Sequence, residues 1–207
     1  MQKIGIFRGT FSPPHLGHTH NLTKVLIECK LDKIIIIPSH MKSEDVTDNV
    51  HFSDKERCLM LNWLIENNPY FELCNMEINT KEESNLLNTL NKLRQEFPEA
   101  FFRLFLILGA DQWNELSMSE TIESVKTKTS FIVVKRPGFT LNNFDCKKIR
   151  CINNVYPFDD ISSTDIRNGI KNNIKRNKSY SELEGLVGNI LGTYLRNKYY
   201  QLCDIPF

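Results

Sequence analysis

The chain has 207 residues, of which 41% are hydrophobic and 25% are charged, so it has the balance of a globular protein with a sizeable core. Its formal net charge of +1 argues against a protein that coats nucleic acid or a membrane surface. The opening MQKIGIF is too short for a secretory signal, and no apolar run reaches the ~18 residues of a membrane helix. We therefore expect a cytoplasmic protein with no nucleic-acid or membrane partner.

The chain contains six cysteines, none of them in a C-x-x-C pair or next to a histidine at zinc-finger spacing. Most of them lie in apolar stretches. This usage favours buried, reduced thiols in an intracellular protein.

Short apolar runs alternate along the chain with stretches of helical periodicity. The runs predict strands at Lys3–Phe7, Lys33–Pro38, Phe71–Met76, Phe102–Leu108 and Phe131–Lys135, with a weaker one near Lys148–Val155. Apolar residues at helical spacing predict helices within residues 16–30, 53–68, 83–97 and 180–200. Alternating strands and helices indicate an α/β fold with a parallel sheet wrapped by helices.

We interpret residues 1–207 as a single domain whose C-terminal part, about residues 157–207, is a helical subdomain packed on it. The polar stretch Ser39–Ser53 directly follows the second predicted strand. A long loop at that position is either a substrate loop or lid, or a plain surface insertion.

The stretch FRGTFSPPHLGH follows the first predicted strand and leads into the first helix. In a parallel sheet this is the edge at which ligands bind. Gly9 allows close approach of a ligand, and His15 and His18 can point the same way from the start of the helix. A helix start that carries histidines and no acid, with Arg8 just upstream, favours an anion such as phosphate.

Other interpretations of this loop are a glycine-rich nucleotide-binding motif, a zinc site and a structural turn. The loop is neither G-x-x-x-x-G-K-[ST] nor G-x-G-x-x-G. A zinc site from His15, His18 and His20 stays open, although His18 and His20 diverge on a helix and no fourth ligand is evident. A structural proline and histidine turn explains only part of the pattern.

The stretch DDISSTDIRNGI predicts a second helix start, with Ser162 as N-cap and Asp165 completing a capping box. Arg167 then lies in the first turns, where a cation is disfavoured unless an anion binds nearby. The alternative is a capped surface helix with a solvated arginine. Between the two motifs, Asp111 in LILGADQW ends a buried strand, where an acid either accepts ribose hydroxyls or caps the next helix.

Two of these motifs resemble signatures of one superfamily. GTFSPPHLGH is similar to the G-[TS]-F-x-P-x-H-x-G-H signature of the nucleotidylyltransferases, and ISSTDIR to their I-S-S-T-x-I-R signature. LGAD, KRPG and the closing TYLRNKYY follow the order seen in nicotinate (nicotinamide) mononucleotide adenylyltransferases. The resemblance implies a Rossmann-like fold with helices on both faces. It also implies transfer of the adenylyl group of ATP to nicotinate mononucleotide, with Mg²⁺ assisting.

The resemblance also implies roles for individual residues. His18 would contact the α-phosphate, while His15 and Arg167 would hold the outer phosphates. Lys42 resembles the basic residue that binds the mononucleotide phosphate. The other implied contacts are Gly9, Thr10 and Phe11 around the phosphates, Gly109 and Asp111 at the adenosine ribose, and Ser162, Ser163 and Thr164 along the nucleotide pocket. No carboxylate cage is evident, so Mg²⁺ is expected to arrive with ATP.

The chain departs from the family pattern in several places. Arg8 stands where many members have Gly, and Ser12 where many have Asp or Asn. The SYTxxTL motif of the family appears as SNLLNTL, which puts Asn85 and Leu86 in place of its Tyr and Thr. Any substrate contact there would come from Asn85 or from the backbone.

The pyridine pocket departs as well. Members often stack the ring on a Trp at the position of Ser119, and Trp113 is either a substitute for it or a core residue. The preference for nicotinate or nicotinamide and the presence of a homo-oligomer stay open. The alternatives are another nucleotidylyltransferase, such as one acting on phosphopantetheine, and a non-catalytic nucleotide-binding module. A dehydrogenase is disfavoured by the missing glycine fingerprint.

Overall fold

A computed structural model describes residues 1–41, 52–80, 85–135, 149–153, 161–176 and 185–202 apart from 186. Residues 42–51, which include Lys42 and most of the polar stretch from 39 to 53, lie outside the described residues. None of the helices in the described ranges is long and apolar enough to cross a membrane. The cysteines among these residues, Cys29, Cys58, Cys74 and Cys151, are free thiols.

The described strands form one parallel sheet of six strands in the order β3-β2-β1-β4-β5-β6. Their bounds are β1 Gln2–Gly9, β2 Lys33–Pro38, β3 Phe71–Leu73, β4 Phe102–Gly109, β5 Ser130–Lys135 and β6 Ile149–Asn153. The parallel sheet and all its predicted strands are confirmed, although β3 is shorter than predicted because a helix begins at Met76. The strand order reverses between β1 and β4, which places a crevice at their carboxyl ends.

The helices lie between and after the strands. Their bounds are α1 Leu16–Cys29, α2 Asp54–Ile65, α3 Met76–Thr80, α4 Leu86–Glu96, α5 Ala110–Ser117, α6 Ile122–Lys126, α7 Ser163–Arg176 and α8 Asn189–Leu202. The predicted last helix is interrupted at Gly188, which has a left-handed φ of 86°; residues 185 and 187 before it are helical, and α8 begins after it at Asn189. The helical periodicity did not indicate α3 and α6, which have only five residues each.

The core lies on both faces of the sheet. One cluster packs Ile4 and Ile6 of β1 against α4 and α5, and the other packs Ile34 and Ile36 of β2 against α1 and α2. Successive residues of a strand face opposite sides, so the continuous apolar runs serve both layers. The α/β fold with helices on both faces is thereby confirmed.

A third cluster joins α2 to the C-terminal helices. It contains Met60 of α2, Ile166 of α7 and Leu191 of α8, all fully or almost fully buried. The interface also contains an ion pair between Glu56 and Lys198, and the Tyr194 hydroxyl donates to Glu56 at 2.8 Å. These contacts are consistent with a helical subdomain over about 157–207, which stays a prediction.

Candidate active site

A cleft opens at the carboxyl edge of the sheet, where the strand order reverses. It is lined by the end of β1, the loop that follows, and the first turns of α1, α5 and α7. Eight of the predicted site residues line it: Gly9, Thr10, Phe11, His15, His18, Gly109, Asp111 and Ser163. The fold therefore brings the first loop, the LGAD segment and the start of α7 to one place.

The backbone of the first loop is fixed by donors from outside it. The Gly9 carbonyl accepts from the Ser39 backbone N–H at 2.9 Å and from its hydroxyl at 3.2 Å. The Thr10 carbonyl accepts from Nη1 of Arg57. In a trans peptide the next N–H points opposite to the carbonyl, so the amides of Thr10 and Phe11 are directed away from these donors. Phe11 has a left-handed φ of 50°, and successive amides in such a turn form a concave site for an anion.

The start of α7 fixes the next part of the loop. Nη1 of Arg167 donates to the Ser12 carbonyl at 2.6 Å. The Ser163 hydroxyl donates to the Pro13 carbonyl at 2.8 Å, across 150 residues of sequence. The two motifs singled out in the sequence are therefore in direct contact.

The two histidines of the first motif lie against each other at the start of α1. His15 is the N-cap residue, is 4% exposed, and its backbone N–H donates to Nδ1 of His18 at 3.1 Å. The two rings are 3.7 Å apart. Because Nδ1 accepts a hydrogen bond, a neutral His18 carries its proton on Nε2. The ring centroids of Phe7 and Phe11 lie 6.0 and 5.2 Å from that of His18, so its ring is enclosed by aromatic neighbours.

His20 does not join this pair. Its Nδ1 lies 2.8 Å from the carbonyl oxygen of Leu16, one turn back on the exposed side of α1. Within the described ranges, no group of three or more His, Cys, Asp or Glu residues could hold a metal ion. The zinc alternative thus has no ligand set in this part of the chain.

Gly109 places the carboxylate of Asp111. Gly109 is the N-cap of α5, and its N–H donates to Oε1 of Gln112 at 3.0 Å. A Cβ on residue 109 would lie 2.5 Å from Oδ1 of Asp111, so a side chain there would displace the carboxylate. Asp111 is exposed and lines the cleft, where its oxygens can accept hydrogen bonds.

The structure corrects the expectation that Arg8 adds a positive charge to the anion site. Arg8 lines the cleft, but its Nε donates to Oε1 of Glu77 at 2.6 Å. Glu77 is buried in α3 and also accepts from the hydroxyl of Thr89 at 2.6 Å. The charge of Arg8 is therefore offset by a buried carboxylate. The sequence does not single out Glu77, because α3 is too short to show helical periodicity.

Two of the predicted nucleotide-pocket residues act within α7. The Ser162 hydroxyl accepts from the Asp165 N–H at 3.1 Å, which confirms the predicted cap. The Thr164 hydroxyl accepts from Nη2 of Arg167 at 3.1 Å. Ser162, Thr164 and Arg167 are not among the residues that line the cleft.

The predicted substrate contacts Asn85, Leu86 and Trp113 are not among the residues that line the cleft. Asn85 is the N-cap of α4, where its side-chain oxygen accepts from the N–H groups of Leu87 and Asn88 at 2.9 and 3.2 Å. Leu86 packs against the core. Trp113 is 1% exposed, with its ring 5.2 Å from that of Phe131, so the core interpretation of this residue holds.

Arg57 holds the first loop from outside the cleft, and the sequence patterns did not indicate this role. It is fully buried on the face of α2 that also buries Leu61 and Ile65. The available signal was its position, because Arg57 lies four residues before Leu61 on the same helical stripe. A charged residue on an apolar stripe indicates a specific buried partner.

Comparisons with known proteins agree with this geometry. The family model described as cytidylyltransferase-like matches residues 6–169. The nicotinate-nucleotide adenylyltransferase of Bacillus subtilis is 39% identical over 67% of this chain and 72% of its own length. A probable nicotinate-nucleotide adenylyltransferase of Clostridium tetani is 35% identical over 83% of this chain and 88% of its own.

A similar fold is found among solved structures. Plasmodium falciparum nicotinic acid mononucleotide adenylyltransferase complexed with NaAD has a TM-score of 0.76 at 17% identity, over 98% of each chain. At this sequence identity the likeness shows the fold alone, whereas the sequence relatives and the family model show the family. The chain therefore belongs to the nicotinate-nucleotide adenylyltransferase family of nucleotidyltransferases, within the cytidylyltransferase-like proteins.

Proposed function

We propose that this chain transfers the adenylyl group of ATP to nicotinate mononucleotide, with release of pyrophosphate, as a step of NAD biosynthesis. The observation that carries the proposal is the contact between Ser163 and Arg167 of α7 and the first loop. This contact packs the start of α7 against the loop whose residues Thr10, Phe11 and His18 line the cleft. The names of the relatives support the identity of the acceptor.

The reaction needs positioning more than it needs a base. The 5′-phosphate of the mononucleotide is already ionised at neutral pH, and one of its oxygens attacks the α-phosphorus of ATP. A bond from that oxygen to phosphorus forms, and the bond from phosphorus to the bridging oxygen of pyrophosphate breaks, with the electron pair leaving on pyrophosphate. Donors that are fixed beforehand stabilise the charge that develops on these oxygens.

His18 and the loop amides are the proposed donors to the transferring phosphate. Nδ1 of His18 accepts from the His15 backbone N–H, so the proton of the neutral ring is on Nε2, and the N-terminus of α1 adds a partial positive charge. We assign His15 and Arg167 to the outer phosphates, with Arg167 also holding the Ser12 carbonyl. We assign Gly9 to the close approach of the triphosphate. A Cβ there would lie 3.2 Å from the ring of Phe11.

Asp111 is the proposed acceptor for the hydroxyls of the adenosine ribose, in the space that Gly109 leaves. ATP enters as its Mg²⁺ complex, so the metal is part of the substrate. Lys42, which lies outside these residues, stays the predicted contact of the mononucleotide phosphate.

The test is to mix the protein with MgATP and one phosphate acceptor at a time, and to identify the products by mass. We expect nicotinate adenine dinucleotide and pyrophosphate from nicotinate mononucleotide. Product from phosphopantetheine instead would identify another nucleotidylyltransferase. Uptake of ATP without pyrophosphate from any acceptor would identify a binding module and contradict the proposal.

A further inference from the structure

We propose that Arg57 is a positioning residue for the phosphate-binding loop. By holding the Thr10 carbonyl, it aims the following amide at the triphosphate. The inference rests on the proposed function and concerns a residue that has no contact with the cleft. Nη1 of Arg57 donates to the Thr10 carbonyl, and Nη2 donates to the Ser39 carbonyl at 2.6 Å. The same guanidinium therefore ties the loop after β1 to the loop after β2.

The bond to Ser39 strengthens the effect, because Ser39 itself holds the neighbouring peptide. The backbone N–H and the hydroxyl of Ser39 both donate to the Gly9 carbonyl. Arg57 and Ser39 thus fix two consecutive carbonyls of the loop on the side away from the cleft. Rotation of either peptide would turn a carbonyl oxygen towards an incoming phosphate, and the two would repel each other.

The burial of Arg57 favours positioning over stability as its role. Its side chain is fully buried, and its Nε has no hydrogen-bond partner among the described residues. A buried ion pair gains little stability over well-packed apolar residues of similar volume. An apolar residue on this stripe of α2 would therefore serve the core as well, whereas it could not hold two carbonyls.

Asp54 supplies the charge that allows Arg57 to be buried. Nη2 of Arg57 contacts Oδ1 of Asp54 at 2.5 Å, and Nδ1 of His40 lies 2.5 Å from the other carboxylate oxygen. Burial alone would raise the pKa of Asp54, but hydrogen bonds from His40 and Arg57 lower it below its ordinary value. Asp54 is therefore ionised at neutral pH, and Arg57 is held with its planar fork towards Thr10 and Ser39.

Arg94 offers a matched control. This arginine of α4 donates from Nε to the Lys128 carbonyl at 2.7 Å and from Nη1 to the Phe102 carbonyl at 3.1 Å. These carbonyls lie where β4 and β5 begin, at the sheet edge opposite to the cleft. Arg94 has the same chemistry as Arg57, since it is an arginine that joins two backbone segments, but it is remote from the first loop.

The experiment compares Arg57→Met with Arg94→Met by thermal melting and by steady-state kinetics at a temperature where both are folded. We expect Arg57→Met to lose about 100-fold in kcat/KM for ATP. The KM for ATP rises, and the KM for nicotinate mononucleotide stays near that of the wild type. Partial unfolding lowers only the apparent kcat, so the rise in KM separates positioning from loss of folded protein. We expect Arg94→Met to melt earlier with wild-type kinetics.

Equal kinetic losses in both variants, or wild-type kinetics in Arg57→Met, would overturn the proposal. If Arg57→Met does not fold, Arg57→Lys decides. Its ammonium keeps the charge beside Asp54 but cannot reach both carbonyls, so we expect a loss of about tenfold in kcat/KM for ATP. Wild-type kinetics in Arg57→Lys would then overturn it. Failure of the proposed function is seen separately, as absence of pyrophosphate with the wild type and with Arg94→Met.

Discussion

The cleft has two sides that differ in how charge is arranged. On the α1 side, the ring centroids of His15 and His18 are 3.7 Å apart, and the loop amides face away from anchored carbonyls, so hydrogen-bond donors are concentrated and fixed. At Arg8, which we call the α3 side because its partner Glu77 lies in α3, the cation is offset by a buried carboxylate. The α1 side is therefore organised for a strongly anionic group, whereas the α3 side is close to electrically neutral.

The largest expected effect is on the α1 side. We expect His18→Ala to lower kcat by about 10²–10³-fold, equal to about 3–4 kcal/mol of transition-state stabilisation, because a fixed donor to the transferring phosphate is lost. The melting temperature should change little, since His18 is not a core residue. The control is His20→Ala, on the exposed side of the same helix. Equal activity of the two variants would remove His18 from the mechanism.

The next effect concerns Gly109, where β4 ends and α5 begins. We expect Gly109→Ala to raise the KM for ATP by about tenfold, since the new Cβ would lie 2.5 Å from Oδ1 of Asp111 and displace a hydrogen-bond acceptor of the ribose. The control is Gly185→Ala, because no atom lies within 4 Å of a Cβ built there. An unchanged KM for ATP in Gly109→Ala would argue against a role for the Asp111 carboxylate.

On the α3 side the expected effect is on stability. Glu77→Gln removes the negative charge that faces Arg8 and should lower the free energy of unfolding by about 2 kcal/mol, as measured by urea denaturation. We expect kcat/KM for ATP to fall less than in His18→Ala. A kinetic loss as large as that of His18→Ala, with unchanged stability, would mean that the α3 side also holds the triphosphate.

The smallest effect lies outside the cleft, between α2 and α8. Burial alone would raise the pKa of Glu56, but hydrogen bonds from Lys198, Ser53 and Tyr194 lower it from 4.5 to about 2. A carboxyl whose pKa is lowered by folding stabilises the folded state fully at a pH above its pKa in the unfolded state. This contribution is lost as the pH falls from 4.5 to about 2. Melting temperatures measured across this window should fall less steeply in Glu56→Gln.

The matched variant is Glu123→Gln, since Glu123 is 79% exposed in its pair with Lys126. We expect it to keep the pH dependence of the wild type, because exposed ion pairs contribute little to stability. A pH dependence in Glu56→Gln equal to that of the wild type would show that Glu56 is not the group that titrates.

Much of the α1 side could be predicted from the sequence because its determinants are local. The strands are short apolar runs, the loop between β1 and α1 carries its glycine and histidines in one stretch, and Ser162 caps α7 at the predicted position. Its position beside the cleft also follows from a general rule, since parallel strands bring their carboxyl ends to one edge.

The α3 side could not be predicted in the same way, because its contacts join distant segments. Glu77 lies in a helix of five residues, and its pairing with Arg8 spans 69 residues of sequence. Asn85 accepts from N–H groups at the start of α4, and Trp113 is buried in the core. The position of a residue in a family motif does not show either of these structural roles. Arg57 was missed for the same reason, since its partners become evident only when two loops meet.

The most direct test of the single cleft is an NMR titration of ¹⁵N-labelled protein with a non-hydrolysable ATP analogue. The account predicts the largest shifts at the amides of Thr10 and Phe11, at Nε2 of His18, and at the side chain of Arg167, all with one dissociation constant. Shifts at Thr10 and His18 without any response at Arg167, or with a separate dissociation constant there, would contradict it.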